Sequence, residues 1–447
     1  MFDLQNKYKK RLAPVQILAL GFGIVIMAGT LLLMLPVSSK EGIVTPFIDA
    51  FFTSTSAVCV TGLVTLNTAE HWSYFGSTVI ITLIQIGGLG FMSFATLFAL
   101  ILGKRITLKE RMVMQEAMNS FSLQGLVKLA KYILIFTFSV EGIGALFLST
   151  KFIPEHGFLK GLYFSIFHSI SAFCNAGFDL TGNSLVPYAD NAVIILTISA
   201  LIITGGLGFA VWAEIYNYKG MGKLSVHSNL VISATLILIV GGWILMYIFE
   251  MKNPGTIQNM SLKGKLLSSL FASVSPRTAG FNSISTADMT LAGKFLTIIL
   301  MFIGGSPGGT AGGIKTTTAG ILLMTVISVF KNREDAEIFG RTISKNLVYK
   351  SFVILTLALC LVIGETMVLS FTEKGASLEY ILYEVTSAFG TVGLTLGLTP
   401  NLSVIGKVLI ALTMYIGRVG ILTLLLALAH KKHGSSIKYP DGKILVG

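Results

Sequence analysis

The chain has 447 residues, 53% of them hydrophobic and 12% charged, with a formal net charge of +12 and a mean hydropathy of +0.79. Soluble domains carry about a quarter charged residues, so a shortfall sustained along the length excludes a soluble globular domain and points to lipid. The three cysteines (Cys59, Cys174, Cys360) are too scattered for a disulfide framework or a zinc site, the six histidines show no ligand spacing, and no Ser/His/Asp set stands out, so no enzyme is expected.

Apolar runs of about 18 or more residues read as membrane-spanning helices. Eight occur, at about 15–36, 74–102, 132–150, 192–217, 230–249, 293–330, 351–371 and 403–430. The first follows Lys7, Lys9, Lys10 and Arg11, is too long for a signal-peptide core and has no small-residue cleavage site after it, so it reads as a retained helix. Eight spans put both termini on one side. Residues 1–12, 103–131, 219–223, 331–350 and 431–447 fall on that side and hold 21 of the 33 Lys and Arg. The positive-inside rule makes it cytoplasmic, and the positive balance is a topology signal rather than a nucleic-acid footprint. The expected location is the plasma membrane, multi-pass, with no nucleic-acid partner.

Between pairs of spans, on the outer side, lie four semi-polar segments of 11–13 residues: PFIDAFFTSTSAV (46–58), GLYFSIFHSISAF (161–173), KLLSSLFASVSP (265–276) and EYILYEVTSAF (379–389). They are too short to cross a core of about 30 Å and suit re-entrant helices. Their tails read SAVCVTGL (56–63), SAFCNAGF (171–178), VSPRTAGF (274–281) and SAFGTVGL (387–394), each ending in a glycine, Gly62, Gly177, Gly280 and Gly393, followed by Leu or Phe. A second glycine landmark follows in IGGLGF, TGGLGF, IGGSPGG and IGRVGI, 25, 28, 24 and 24 residues after the first. Small residues that merely permit close helix packing would explain the second landmark alone. Both together mean one unit used four times, at residues 1–102, 103–219, 220–333 and 334–434, with a cytosolic tail at 435–447.

Extended backbone inside a membrane must line a wet cavity or be satisfied by protein. Four such loops around an axis would offer rings of carbonyl oxygens that replace a cation's hydration shell. Glycine permits the dihedral angles that turn successive carbonyls the same way, and each short helix directs its negative end at the ion.

These loops resemble potassium-channel filters, GTVGL (390–394) most closely, and four linked copies resemble the Trk/Ktr/HKT superfamily, especially the bacterial Ktr-type membrane subunit. The resemblance covers essentially the whole chain. It implies an all-α membrane protein of four covalently linked M1–pore helix–M2 repeats around a single pore. The filter would use Cys59, Val60, Thr61 and Gly62; Cys174, Asn175, Ala176 and Gly177; Arg277, Thr278, Ala279 and Gly280; and Gly390, Thr391, Val392 and Gly393. Members with serine in the first loop favour sodium, so Gly62 implies potassium as the transported ion; sodium is a candidate activator. The implied assembly is a homodimer in the bilayer on a cytosolic, nucleotide-binding ring of RCK-type, KtrA-like subunits, with no nucleotide bound by this chain.

Residues 304–318, GGSPGGTAGGIKTTT, hold six glycines and Pro307, which no straight helix tolerates. Lys315 follows Ile314 rather than a glycine, so the phosphate-loop spacing fails. In the resembled family the matching loop is a gate, which assigns that role to Gly304, Gly305, Ser306, Pro307, Gly308, Gly309, Thr310, Ala311, Gly312, Gly313, Ile314, Lys315, Thr316, Thr317 and Thr318; the alternative is a passive kink. Arg418, beside the landmark Gly417, is expected at mid-span facing the pore; the family resemblance implies that it sits near that flap and holds it closed, and the alternative is a structural arginine. Arg277 is expected to be held by a carboxylate, Glu384 to buttress the filter from behind, and Glu141 and Glu365 to play structural roles within their helices. The cytosolic stretches 103–130 and 331–350 and the tail 431–447 are candidate docking and assembly segments. An alternating-access secondary cation symporter is the alternative function, and it would call for inverted repeats with two broken helices, against one evident break here.

Overall fold

Four times along the chain a long helix is followed by a short helix, an extended stretch and a further helix. The computed structural model describes residues 13–90, 107–117, 126–218 and 224–428. The first copy comprises α1 (Pro14–Met34), α2 (Phe47–Cys59), the single-turn α3 (Thr68–His71) and α4 (Tyr74–Leu89). The second runs from α5 (Leu108–Ala117) through α6 (Leu126–His156), α7 (Phe158–Phe173), α8 (Ala192–Gly206) and α9 (Phe209–Tyr216). The third has α10 (Val226–Glu250), α11 (Leu262–Val274), α12 (Leu291–Phe302) and α13 (Thr316–Phe330). A small antiparallel hairpin, β1 (Glu337–Ile338) with β2 (Arg341–Thr342), precedes the fourth copy, α14 (Lys345–Thr372), α15 (Leu378–Gly390), α16 (Val404–Val419) and α17 (Ile421–Leu428).

Each copy starts its last part with the same physical device. Ser73, Asn191, Thr290 and Ser403 cap α4, α8, α12 and α16, their side-chain oxygens accepting from backbone N–H groups in the first turn. In the third and fourth copies a buried carboxylate at the end of the long helix holds the cap as well: Thr290 Oγ1 donates to Glu250 at 2.7 Å, and Ser403 Oγ to Glu373 at 2.6 Å. The long helices approach the short ones closely. Gly29, Gly144 and Gly242 leave room for Ser54, Ser169 and Ser273, whose hydroxyls donate to the carbonyls of Ile26, Glu141 and Ile239 at 2.6–2.8 Å. The fourth copy has Val385 at the corresponding place and forgoes the bond.

Helices α1, α6, α10 and α14, 21 to 31 residues long, are long and apolar enough to span a membrane. Their outward faces carry bare aliphatic side chains, among them Ile24, Leu146, Ile237 and Met367, as a lipid-facing surface requires. The other four expected spans are not continuous, which corrects the sequence expectation. Helix α8 meets α9 at 95°, with Gly208 at φ +91. Helix α12 is parted from α13 by residues 303–315, and α16 from α17 by Gly420 at φ +93. Helix α4 stops before Gly90 at φ +78. A positive φ ends the ladder of helical hydrogen bonds, and glycine adopts it at no steric cost. The stretch 91–102 of the expected second span, the basic N-terminal stretch, most of 103–130 and the tail 431–447 lie outside the described residues.

Candidate functional site

The short helices α2, α7, α11 and α15 end at four loops that share one backbone pattern. Val60, Asn175, Thr278 and Thr391 have φ of +58, +61, +76 and +49, and Gly62, Gly177, Gly280 and Gly393, two residues on, have φ of +96, +70, +78 and +92. Left-handed non-glycine residues are uncommon and store strain. Four at equivalent positions, each followed two residues on by a left-handed glycine, form the kind of alternation that lets consecutive carbonyls turn to one side of a loop.

What holds this shape is a serine at the end of each short helix, whose role the sequence reading passed over. The N–H groups of Thr61, Ala176, Ala279 and Val392 donate to the carbonyls of Ser56, Ser171, Ser275 and Ser387 at 2.7–2.9 Å. The hydroxyls finish the clasp. Ser56 and Ser387 accept from the N–H of Gly62 and Gly393 at 3.0 and 3.1 Å, while Ser171 and Ser275 donate to the carbonyls of Phe178 and Phe281. The available signal was their spacing, six residues before the loop glycine in three copies and five in the third.

The four loops face one another in a closed cycle. A methyl group added to Gly62 would strike the Ala176 carbonyl, one on Gly177 the Ala279 carbonyl, one on Gly280 the Val392 carbonyl, and one on Gly393 the Thr61 carbonyl. The side chains of Val60, Thr61, Ala176, Ala279 and Val392 are buried, so backbone rather than side chain meets backbone at the centre. Cys59 closes helix α2, Cys174 caps α7, Arg277 lies in the turn after α11, and Gly390 is the last residue of α15. The loop residues proper thus face one another across the ring, while Cys59, Cys174, Arg277 and Gly390 lie where the short helices lead into it.

Behind the ring the second glycine landmark explains itself. Gly87, Gly205 and Gly417 lie against the carbonyls of Val58, Phe173 and Phe389, each near the end of a short helix, where a Cβ would collide. In the third copy the matching Gly304 faces the Gly312 carbonyl and the Thr278 methyl instead. There the loop 304–315 has displaced the helix.

That loop fills the space against the ring. Its ends pair, Gly304 N–H donating to the Ile314 carbonyl at 2.9 Å, and its middle hangs on the end of α8 through Ser306 N–H to Gly206 (2.9 Å) and Thr310 N–H to Gly205 (3.2 Å). Gly312 lies against the Thr391 side chain. The nonhelical stretch ends at Lys315; Thr316, Thr317 and Thr318 form the first turn of α13, a correction to the expected extent. Lys315 Nζ donates back to the Ala311 carbonyl at 2.5 Å.

Arg418, near the end of α16, bridges three elements. Its guanidinium donates to the carbonyls of Thr310 in the loop and of Gly87 and Gly88 at the end of α4. Arg277 departs from expectation: its side chain turns to the hydroxyl of Thr235 on α10 at 3.3 Å, not to a carboxylate. The third loop packs against α10, and among the described residues no acid pairs with Arg277. Glu384 receives the hydroxyls of Thr395 and Thr399 just past the fourth loop. Glu141 accepts from Gln85 at 3.0 Å and Glu365 from Thr413. Adjacent copies are also tied by Lys407 to Asp49 at 2.7 Å and Lys294 to Glu379 at 2.8 Å.

Residues 6–439 match the family described as "TrkH: Cation transport protein". Over its full length the chain is 49% identical to the potassium/sodium uptake protein NtpJ of Enterococcus hirae, itself covered completely. It is 43% identical to the Ktr system potassium uptake protein B of Bacillus subtilis, with 98% of this chain and 97% of that protein covered. The crystal structure of the potassium transporter TrkH from Vibrio parahaemolyticus superposes with a TM-score of 0.75 over 96% of this chain and 87% of the other, at 20% identity, which speaks to the fold alone. The ring of glycine loops thus stands in a helical membrane protein that belongs to the TrkH family of cation transport proteins and is not an enzyme.

Proposed function

We propose that the chain carries potassium ions into the cell as the ion-translocating subunit of a Ktr-type uptake system. The observation that supports this most is the closed cycle of four left-handed loops, each glycine set against the carbonyl of the next loop. Such a ring offers carbonyl oxygens in place of water, and the converging ends of four short helices add negative potential. The four units would span 1–102, 103–219, 220–333 and 334–434 and surround one pore. Loop 304–315, wedged against Thr391 and Thr278, is the gate in this reading, with Arg418 as its latch.

The relatives' names, a potassium/sodium uptake protein and a Ktr system potassium uptake protein, support potassium as cargo; sodium as an activator is part of the same reading. The same likeness supports a homodimer in the plasma membrane, both termini cytoplasmic, on a ring of nucleotide-binding regulatory subunits. Broken helices also mark alternating-access carriers. Here the breaks recur in parallel copies around one ring, which favours the single pore.

The test is ion flux in liposomes. Gly62 holds φ +96, and a Cβ there meets the Ala176 carbonyl at 2.5 Å, so Gly62→Ser must shift the ring. Potassium and rubidium flux should fall relative to sodium. Unaltered ion ratios would remove the filter assignment.

A further inference from the structure

Arg277 is a buried cation short of hydrogen-bond partners. Arg277 is 6% exposed. Its terminal nitrogen has only the long bond to Thr235 Oγ1, and Nε has no hydrogen-bond partner among the described residues. A buried guanidinium in that state is costly, and such an exception calls for an explanation. It borders a small cavity lined by Ile202, Ile203, Gly206, Val274, Arg277 and Gly305. That cavity is the seam where the loop hangs on α8: Gly206 accepts from Ser306 N–H, and Gly305 lies directly against the Gly206 carbonyl.

The seam has a consequence when the loop moves. Gly205 and Gly206 are the last residues of α8, and their carbonyls belong to the set that a helix end leaves without internal partners. While the loop is seated, Thr310 and Ser306 satisfy them. Once it leaves, at least one acceptor inside the membrane loses its donor, and an under-used guanidinium stands across the cavity.

We propose that Arg277 is a positioning residue of the conducting state: when loop 304–315 swings away, its guanidinium donates to the vacated carbonyl at the end of α8. This inference rests on reading that loop as the gate. The two arginines then act in opposite senses. Arg418 satisfies carbonyls of the seated arrangement, and Arg277 is poorly satisfied there and well satisfied in the other. Removing Arg277 therefore favours the seated loop, with no need for the ring itself to change.

Potassium, rubidium and sodium flux into liposomes tests this with four proteins: the parent, Arg277→Met, a chain shortened by deleting residues 309–311, and the combination. Arg277→Met should lower flux about tenfold, the scale of one lost hydrogen bond from a charged donor, with ion ratios unchanged, and Arg277→Lys should restore part of it. In the shortened background the loss should shrink below about twofold, because no seated loop remains to be favoured. Unchanged or raised flux for Arg277→Met overturns the proposal. So does an equal loss in both backgrounds, which would mark a folding defect, or an altered ion ratio, which would mark an effect on the ring. Should shortening the loop itself fail to raise flux, the gate reading falls first and takes this inference with it.

Discussion

Arg418 reaches from α16 to the backbone carbonyl of Thr310, 108 residues away in sequence, while the same guanidinium holds Gly87 and Gly88 at the end of α4. One side chain therefore joins the first, third and fourth copies immediately behind the ring. Thr310 in turn touches the second, through its N–H to Gly205 and its hydroxyl to Phe173 at 3.3 Å. All four copies meet at this point. Arg418→Met keeps the length of the side chain and removes every donor, so the loop loses its anchor. Flux through reconstituted protein should rise about tenfold or more, since one lost charged hydrogen bond is worth about 1.5–3 kcal/mol. A fall to background in well-folded protein would assign Arg418 to packing instead.

Gly312 lies against the Thr391 side chain so closely that a Cβ would overlap it. Gly312→Ala should therefore lift the loop from the ring without touching Arg418. Raised flux together with a lowered melting temperature is the expected pair of results. Raised stability would show that the contact is not made.

The clasp serines should act on selection rather than on gating. Ser387→Ala strands the Gly393 N–H, which the hydroxyl meets at 3.1 Å in a fully buried site. An unpaired buried donor costs about 1–3 kcal/mol, and the fourth loop holds the strained Thr391 at φ +49 beside it. The potassium-to-sodium flux ratio should fall, and Ser387→Thr, which keeps the hydroxyl, should retain more of it. Equal ratios for all three proteins would dissociate the clasp from selection.

Much of this site was legible because it is written in backbone demands. A short semi-polar segment cannot span the membrane, and a glycine at each loop answers a left-handed dihedral, so α2, α7, α11 and α15 fall within a few residues of their expected positions. The breaks at Gly90, Gly208 and Gly420 were not legible. A glycine in an apolar run costs a helix only about 1 kcal/mol, so its presence alone does not announce a break; at Gly208 the fold adds the Pro307 carbonyl against it, whereas no other part of the chain crowds Gly90 or Gly420. The partner of Arg277 was misjudged for a related reason. Charge rules name the kind of partner, whereas the fold decides which side chain is near, here a threonine 42 residues upstream.

Lys407 and Asp49 tie the fourth copy to the first, with side chains 15% and 12% exposed. Neither charge is fully desolvated, so the pair is worth about 1 kcal/mol rather than the several of a buried bridge. Asp49→Asn and Lys407→Met should each lower the melting temperature, and the double variant should fall short of their sum. Strict additivity would leave the ring closed by packing alone.

His71 supplies a pH dependence in the connection before α4. Its Nε2 lies 2.9 Å from Thr45 Oγ1, and burial lowers its pKa below the ordinary 6.5 despite the nearby Glu41 and Asp49. The unfolded chain therefore binds a proton before the folded one does. Stability at pH 7 is free of this penalty, then declines as pH falls below about 6.5 and levels off under the folded pKa. Other carboxylates titrate over neighbouring ranges, so the comparison must be with His71→Gln, which keeps a polar side chain but cannot charge. Between pH 7 and pH 5 the parent should lose more melting temperature than the variant. Parallel curves would mean that the imidazole accepts its proton in the folded state as readily as in the unfolded one.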